Sequence, residues 1–167
     1  MLNEYVILDV EASGLHPLSY PLEIAWVCLE GNKSDSFLIN PESACDWSYW
    51  CSNAEYALHK ITRKEVILSG LHIKEAARRL NSALEGRTAL TDAVGHDEFW
   101  LDQLFFEAAV EPTFTLLDVR DYLGAKDLGF DAYDCFLEEL RKTETKHRAL
   151  SDSIKIRDAV KVALKGN

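Results

Sequence analysis

The chain has 167 residues, 47% apolar and 28% charged, which suits one soluble globular domain and excludes disordered, collagenous and low-complexity polymers. Lysine and arginine number 18 against 28 aspartates and glutamates, and the resulting formal charge of −10 excludes a basic footprint for sequence-independent duplex binding. No apolar run approaches the roughly 20 residues of a membrane span, and the N-terminus has neither a basic nor an apolar leader segment, so a cytoplasmic protein without membrane contact is expected. Residues 5–9 are β-rich and predict a first strand. After a loop with Gly14, Pro17 and Pro21 come strands over 22–29 and 36–39, joined through Gly31-Asn32, whose turn chemistry makes the three strands an antiparallel meander. Residues 42–53, with Trp47, Tyr49 and Trp50, show no period and predict a loop. Thr62 and Glu65 form a capping box opening a short helix over 63–68. Ile73, Ala76, Ala77, Leu80, Ala83 and Leu84 follow helical spacing until Gly86 stops them. A fourth strand over 87–91, a helix over 97–109, a fifth strand over 113–119 and helices over 131–142 and 149–165 complete the chain. The expected architecture is α/β, a mixed five-stranded sheet with its first three strands antiparallel, flanked by helices in a single domain over residues 1–167. Cys28, Cys45, Cys51 and Cys135 contain no CxxC pair and are expected to be free thiols.

Three segments carry carboxylates in arrangements that suit chemistry. Asp9 and Glu11 end the first strand, and its period of two puts both on one face, about 6–7 Å apart. Carboxylates emerging together from a buried strand are costly unless a cation compensates them, although a strand running out into solvent gives the same pattern. His147 sits at or just before the start of the last helix, and Asp152 lies near its first turn, where the helix dipole favours an anion. Asp97 similarly opens the middle helix. Each segment alone also fits an ordinary strand end or helix start.

Taken in order, Asp-x-Glu-x-x-Gly from Asp9 to Gly14, Asp97 followed by Phe-Trp-Leu, and His-x-Ala-x-x-Asp from His147 to Asp152 resemble the DnaQ-like, or DEDDh, 3′–5′ exonuclease family. The segment from Ala57 to Thr62 is similar to the family's Ile-His-Gly-Ile-Thr, and the resemblance runs from Ile7 to Val160. It implies a ribonuclease-H-like fold and a metal-dependent exonuclease releasing 5′-nucleotides from 3′ ends of single-stranded or short nucleic acids, DNA or RNA. Four carboxylates suit hard divalent cations, two Mg²⁺ or Mn²⁺ ions. The resemblance implies that Asp9 is shared by both ions, that Glu11 and Asp152 hold one and Asp97 the other, and that His147 is the general base, a role for which histidine's ordinary pKa is suited. It also points to Leu15, His59 and Ile61 as neighbours of the terminal nucleotide. Arg141, Lys142, Lys146 and Arg148 form the local basic run, which makes Arg148 a candidate phosphate contact. Trp47 and Trp50 suit either base stacking or anchoring of their loop.

There are departures from the family pattern. Ala12 stands where Thr is common, Lys60 where Gly is usual, His96 where Phe is common and Asp92 where His often lies. Asp92 is a rival of Asp97, which is favoured because the Phe-Trp-Leu pattern follows it. A noncatalytic nucleic-acid or protein-binding module of the same fold is the alternative function, and a homodimer stays open.

Overall fold

The computed structural model describes residues 4–128 and 131–166; residues 1–3, part of the N-terminal segment read for a leader, lie outside the described residues. The sheet grows outward from β1 (Tyr5–Ala12). β2 (Pro21–Cys28) pairs antiparallel with β1, and β3 (Ser34–Leu38) pairs antiparallel with β2. On the other side β4 (Thr88–Thr91) runs parallel to β1 and β5 (Thr115–Asp118) parallel to β4, giving the order β3-β2-β1-β4-β5. The helices are α1 (Arg63–Ser69), α2 (Ile73–Leu84), α3 (Val94–Ala108), α4 (Val119–Gly124), α5 (Ala132–Arg141) and α6 (Ala149–Lys165).

Alternation along β1 distributes its side chains between two cores. Val6, Leu8 and Val10 pack with the apolar stripes of α2 and α3, Leu80, Leu84, Trp100 and Leu104 among them. Ile7 faces the second core with Phe136 of α5 and Ile156, Ala159 and Val160 of α6. Asp9 and Glu11 share the parity of Ile7, so both belong to the α6 side of the sheet. β2 is buried at every position because sheet neighbours flank it and helices cover it.

Strand ends differ from the expected ones by up to three residues, β1 running on to Ala12 and β3 opening at Ser34, and three further departures follow. α3 starts at Val94, ahead of the expected 97, because Ala93 supplies no capping side chain and Gly95 reads as a turn residue. The fifth strand is shorter than the expected 113–119, running from Thr115 to Asp118, whose carboxylate accepts the Arg120 N–H and starts α4, a helix outside the expected elements. Residues 54–58 form a turn of π-helix that no capping or periodic signal announced. The four cysteines are free, and no helix among the described residues is long and apolar enough to cross a membrane.

Candidate active site

β1 and β4 are parallel, so their C-terminal ends reach the same edge of the sheet, the usual place for a ligand in an open α/β sheet. β1 delivers Asp9 and Glu11 there, and β4 delivers Thr91 and the following Asp92. Asp97 and Asp152 arrive by the same local device, each as the fourth residue of its helix. Their backbone N–H groups bond the N-cap carbonyls, Asp97 to Ala93 at 3.1 Å and Asp152 to Arg148 at 3.0 Å. Both carboxylates therefore sit within the first turn, where the dipole favours negative charge.

Each side chain is held. The Thr91 hydroxyl donates to Asp97 Oδ2 and accepts the Ala93 N–H at 3.1 Å, which ties the end of β4 to the start of α3. Asp152 Oδ1 accepts the Lys146 N–H at 3.1 Å, which ties the α5–α6 loop to α6. Ligand atoms of Glu11, His147 and Asp152 all lie within 4.8 Å of one another. These three line a cleft of about 1040 Å³ together with Asp9, Asp92 and Asp97.

So much negative charge in a partly buried place shifts its own ionisation. Burial first, then the charges of Asp97, Glu11, Asp92 and Asp152, hold the Asp9 carboxyl well above the ordinary carboxylate range. Burial, with Asp152 and Glu23 adding repulsion, pushes Glu11 up to about 8. Burial pushes Asp97 up to about 7 against the lowering effect of the Thr91 hydrogen bond. Asp92 is raised as well, chiefly by burial. A cluster of carboxylate oxygens with one imidazole fits hard divalent ions.

Glu23 takes a part that no sequence motif announces. It lies directly across from Glu11 in the β1–β2 register, an arrangement that is repulsive for like charges. Arg148 answers it with a two-pronged pair, Nε to Oε2 at 3.0 Å and Nη2 to Oε1 at 2.7 Å, and the Ala149 N–H adds a bond at 2.9 Å. Arg148 is the N-cap residue of α6, so these bonds pin the helix start to β2 and hold the adjacent His147, whose φ of 51° is left-handed. Glu23→Gln is expected to lower stability by about 2 kcal/mol, a fall of ~5 °C in Tm, because Glu23 is buried while Arg148 is partly solvated. Thermal melting of the variant beside the wild type measures this.

The remaining sequence candidates divide. Leu15, 76% exposed, and His59 line the cleft. His59 is buried, with Nδ1 accepting the Ile61 N–H at 2.9 Å. Ile61 is fully buried in the core and lies outside the cleft lining, because its side chain fills space between the sheet and the helices. Arg148 is engaged by Glu23 and also lies outside the lining, so the expected phosphate contact is an anchor of α6. Trp47 stacks on Tyr20 and the Trp50 Nε1–H donates to Glu55, so both tryptophans fasten their loop. Thr91 and Glu23 escaped the sequence reading: a threonine ending a strand and one acid in an otherwise apolar strand are weak signals, and only the three-dimensional pairing gives them meaning.

No family model and no curated protein matches the chain. Solved structures do. The zinc-ion-bound complex of E. coli exonuclease I with single-stranded DNA superposes with a TM-score of 0.75 at 18% identity, over 99% of this chain and 41% of that one. E. coli exonuclease I with a dT13 oligonucleotide gives 0.70 at 18% identity, over 94% and 40%. Its complex with a dA16 oligonucleotide gives 0.69 at 17% identity, over 92% and 39%. The chain thus spans about two-fifths of the length of these neighbours. It has the mixed five-stranded, ribonuclease-H-like fold of exonuclease I.

Proposed function

We propose that the protein is a metal-dependent 3′–5′ exonuclease of the DnaQ-like, DEDDh type, one catalytic domain releasing 5′-nucleotides from the 3′ ends of single-stranded DNA or RNA. The observation that carries this is the gathering of Asp9, Glu11, Asp97 and Asp152 from the end of one strand and two helix starts into one cleft with His147. The single-stranded oligonucleotides bound to exonuclease I in its solved complexes support the choice of substrate. A cytoplasmic location is part of the proposal and agrees with the four unpaired thiols.

Asp9 would be shared between two ions, Glu11 and Asp152 completing one site and Asp97 the other. When bound, Mg²⁺ or Mn²⁺ supplies neutralising charge and in-line alignment for phosphoryl displacement. An imidazole nitrogen of His147 takes a proton from the attacking water as the water oxygen bonds the phosphorus. The 3′ oxygen of the preceding nucleotide leaves with the electron pair of the broken P–O bond and takes a proton from solvent to become the new 3′-hydroxyl, and the imidazolium returns its proton to solvent. Glu23 and Arg148 hold the loop that presents His147, while Leu15 and His59 flank the terminal nucleotide.

A 5′-end-labelled single strand incubated with the protein and Mg²⁺ tests this, run on matched DNA and RNA oligomers. Progressive shortening from the 3′ end with mononucleotide release is expected; internal cuts, or an intact strand of both kinds, would overturn the proposal. Asp97→Asn is expected to lower turnover on the order of a hundredfold or more, and Asp92→Asn to leave most of it, because the Thr91 hydroxyl holds Asp97 in place whereas no side chain among the described residues bonds Asp92. Initial rates of the two variants distinguish them, and the reverse order would show that Asp92 is the ligand.

A further inference from the structure

The ions would account for one phosphate, the scissile one. A single strand carries further phosphates into the same cleft, whose lining holds Asp9, Glu11, Asp92, Asp97 and Asp152, in a chain of net charge −10. Those phosphates need cations of the protein's own. Besides histidines, the lining contains two basic side chains, Arg141 and Lys155. Of the basic run visible in the sequence, Arg148 is engaged by Glu23 and Lys142 by Glu139 at 2.6 Å. Among the described residues, neither Arg141 nor Lys155 forms an ion pair.

Lys155 lies three residues after Asp152 on α6, a spacing that keeps both on one face of the helix. Its charge acts on Asp92, yet its ammonium is anchored on a neutral group, the Thr145 Oγ1 at 2.9 Å. An ammonium has three donors, so two stay available after this bond. Arg141 ends α5 with its guanidinium making no hydrogen bond to a described residue, and Thr143 and Thr145 line the cleft between the two cations. Arg141, Thr143, Thr145 and Lys155 thus come from one segment, residues 141–155, whereas Leu15, Tyr49, Leu58 and Trp100, suited to bases, come from elsewhere.

We propose that Arg141 and Lys155 bind the backbone phosphates of the strand upstream of the scissile bond, one phosphate each, and so set the path of the substrate across the α5–α6 segment. The proposal rests on the exonuclease reading only for the identity of the ligand. It is tested by fluorescence anisotropy with a labelled, hydrolysis-resistant phosphorothioate single strand in Mg²⁺, over a series of salt concentrations. Arg141→Gln and Lys155→Gln are each expected to raise Kd about threefold to tenfold. Each should also reduce the slope of log K against log salt by about 0.7, and the double variant by about 1.4, as single-stranded contacts do. Lys155→Arg keeps the cation and should restore the slope. Lys142→Gln removes the same charge outside the cleft and should leave the slope as it is. An unchanged slope in the double variant, or an equal change in Lys142→Gln, would overturn the proposal. Failure of the exonuclease reading is seen separately, as an unmodified strand that the wild-type protein leaves intact.

Discussion

Asp9→Asn is expected to abolish turnover, by roughly a thousandfold or more, and at the same time to make the metal-free protein more stable. Both effects come from the place of Asp9 at the end of the central strand, where Asp97, Glu11, Asp92 and Asp152 all act on its charge. Asparagine keeps the shape of the side chain and removes the group that two ions would share. The same crowding gives the metal-free protein an unusual pH dependence. Glu11 at about 8 and Asp97 at about 7 hold their protons in the folded state at pH values where the unfolded chain has released them. Folding then takes up protons, so stability present at pH 4 is lost as pH rises through 7 and 8. With Glu11 half-buried, the loss is on the order of 2 kcal/mol, or ~5 °C in Tm. Divalent cations displace those protons, so the Tm gained on adding Mg²⁺ should grow from pH 5 to pH 8. Melting curves with chelator and with Mg²⁺, for wild type and Asp9→Asn, measure all of this. A variant that keeps turnover, or a metal-free Tm that rises with pH over that window, would show that the acidic cluster has been misread.

His147→Ala is expected to lower turnover about 10²–10⁴-fold, the range for a lost general base. The backbone complicates a single substitution, because His147 sits at a φ of 51°. Alanine is strained there, and part of its effect would be displacement of the loop. His147→Asn separates the two effects, since asparagine tolerates the left-handed region and lacks a usable base. Equal losses of turnover in both variants, with the rising limb of the pH–rate profile gone and Mg²⁺ affinity within about threefold of wild type, are the expected result. A fall in metal affinity comparable to the fall in rate would make His147 a ligand, which its distance of at most 4.8 Å from Glu11 and Asp152 ligand atoms also permits.

The parts of this site that were legible in the sequence are those where local periodicity decides the geometry. Period two fixes that Asp9 and Glu11 share a face, and the apolar spacing of α6 fixes that Asp152 opens a helix. α3 was harder to delimit, because its first turn has no capping side chain and includes a glycine, so Asp97 was placed at the helix start and not at its fourth residue. Tertiary pairings were not legible at all. Nothing near Glu23 announces that Arg148 will reach it across 125 residues, and without that pairing Arg148 reads as a free cation. Lys155 is hidden for the opposite reason: the sequence of its helix is that of an ordinary amphipathic helix, and only the cleft shows which of its faces meets the carboxylates.

The pairing of Glu23 with Arg148 has a consequence for how the molecule is made. The β1–β2 hairpin is synthesised before α6, and it carries Glu11 and Glu23 face to face. The guanidinium that relieves this repulsion emerges near the other end of the chain, immediately before the helix bearing Asp152. A hairpin formed before α6 is made would hold these charges unmatched. Docking of α6 closes the longest loop in the fold and, in one event, neutralises Glu23, seats His147 and adds the last carboxylate. A nascent chain lacks a complete cutting site until that moment, so on the exonuclease reading the nucleic acid around a ribosome is spared from a half-built protein.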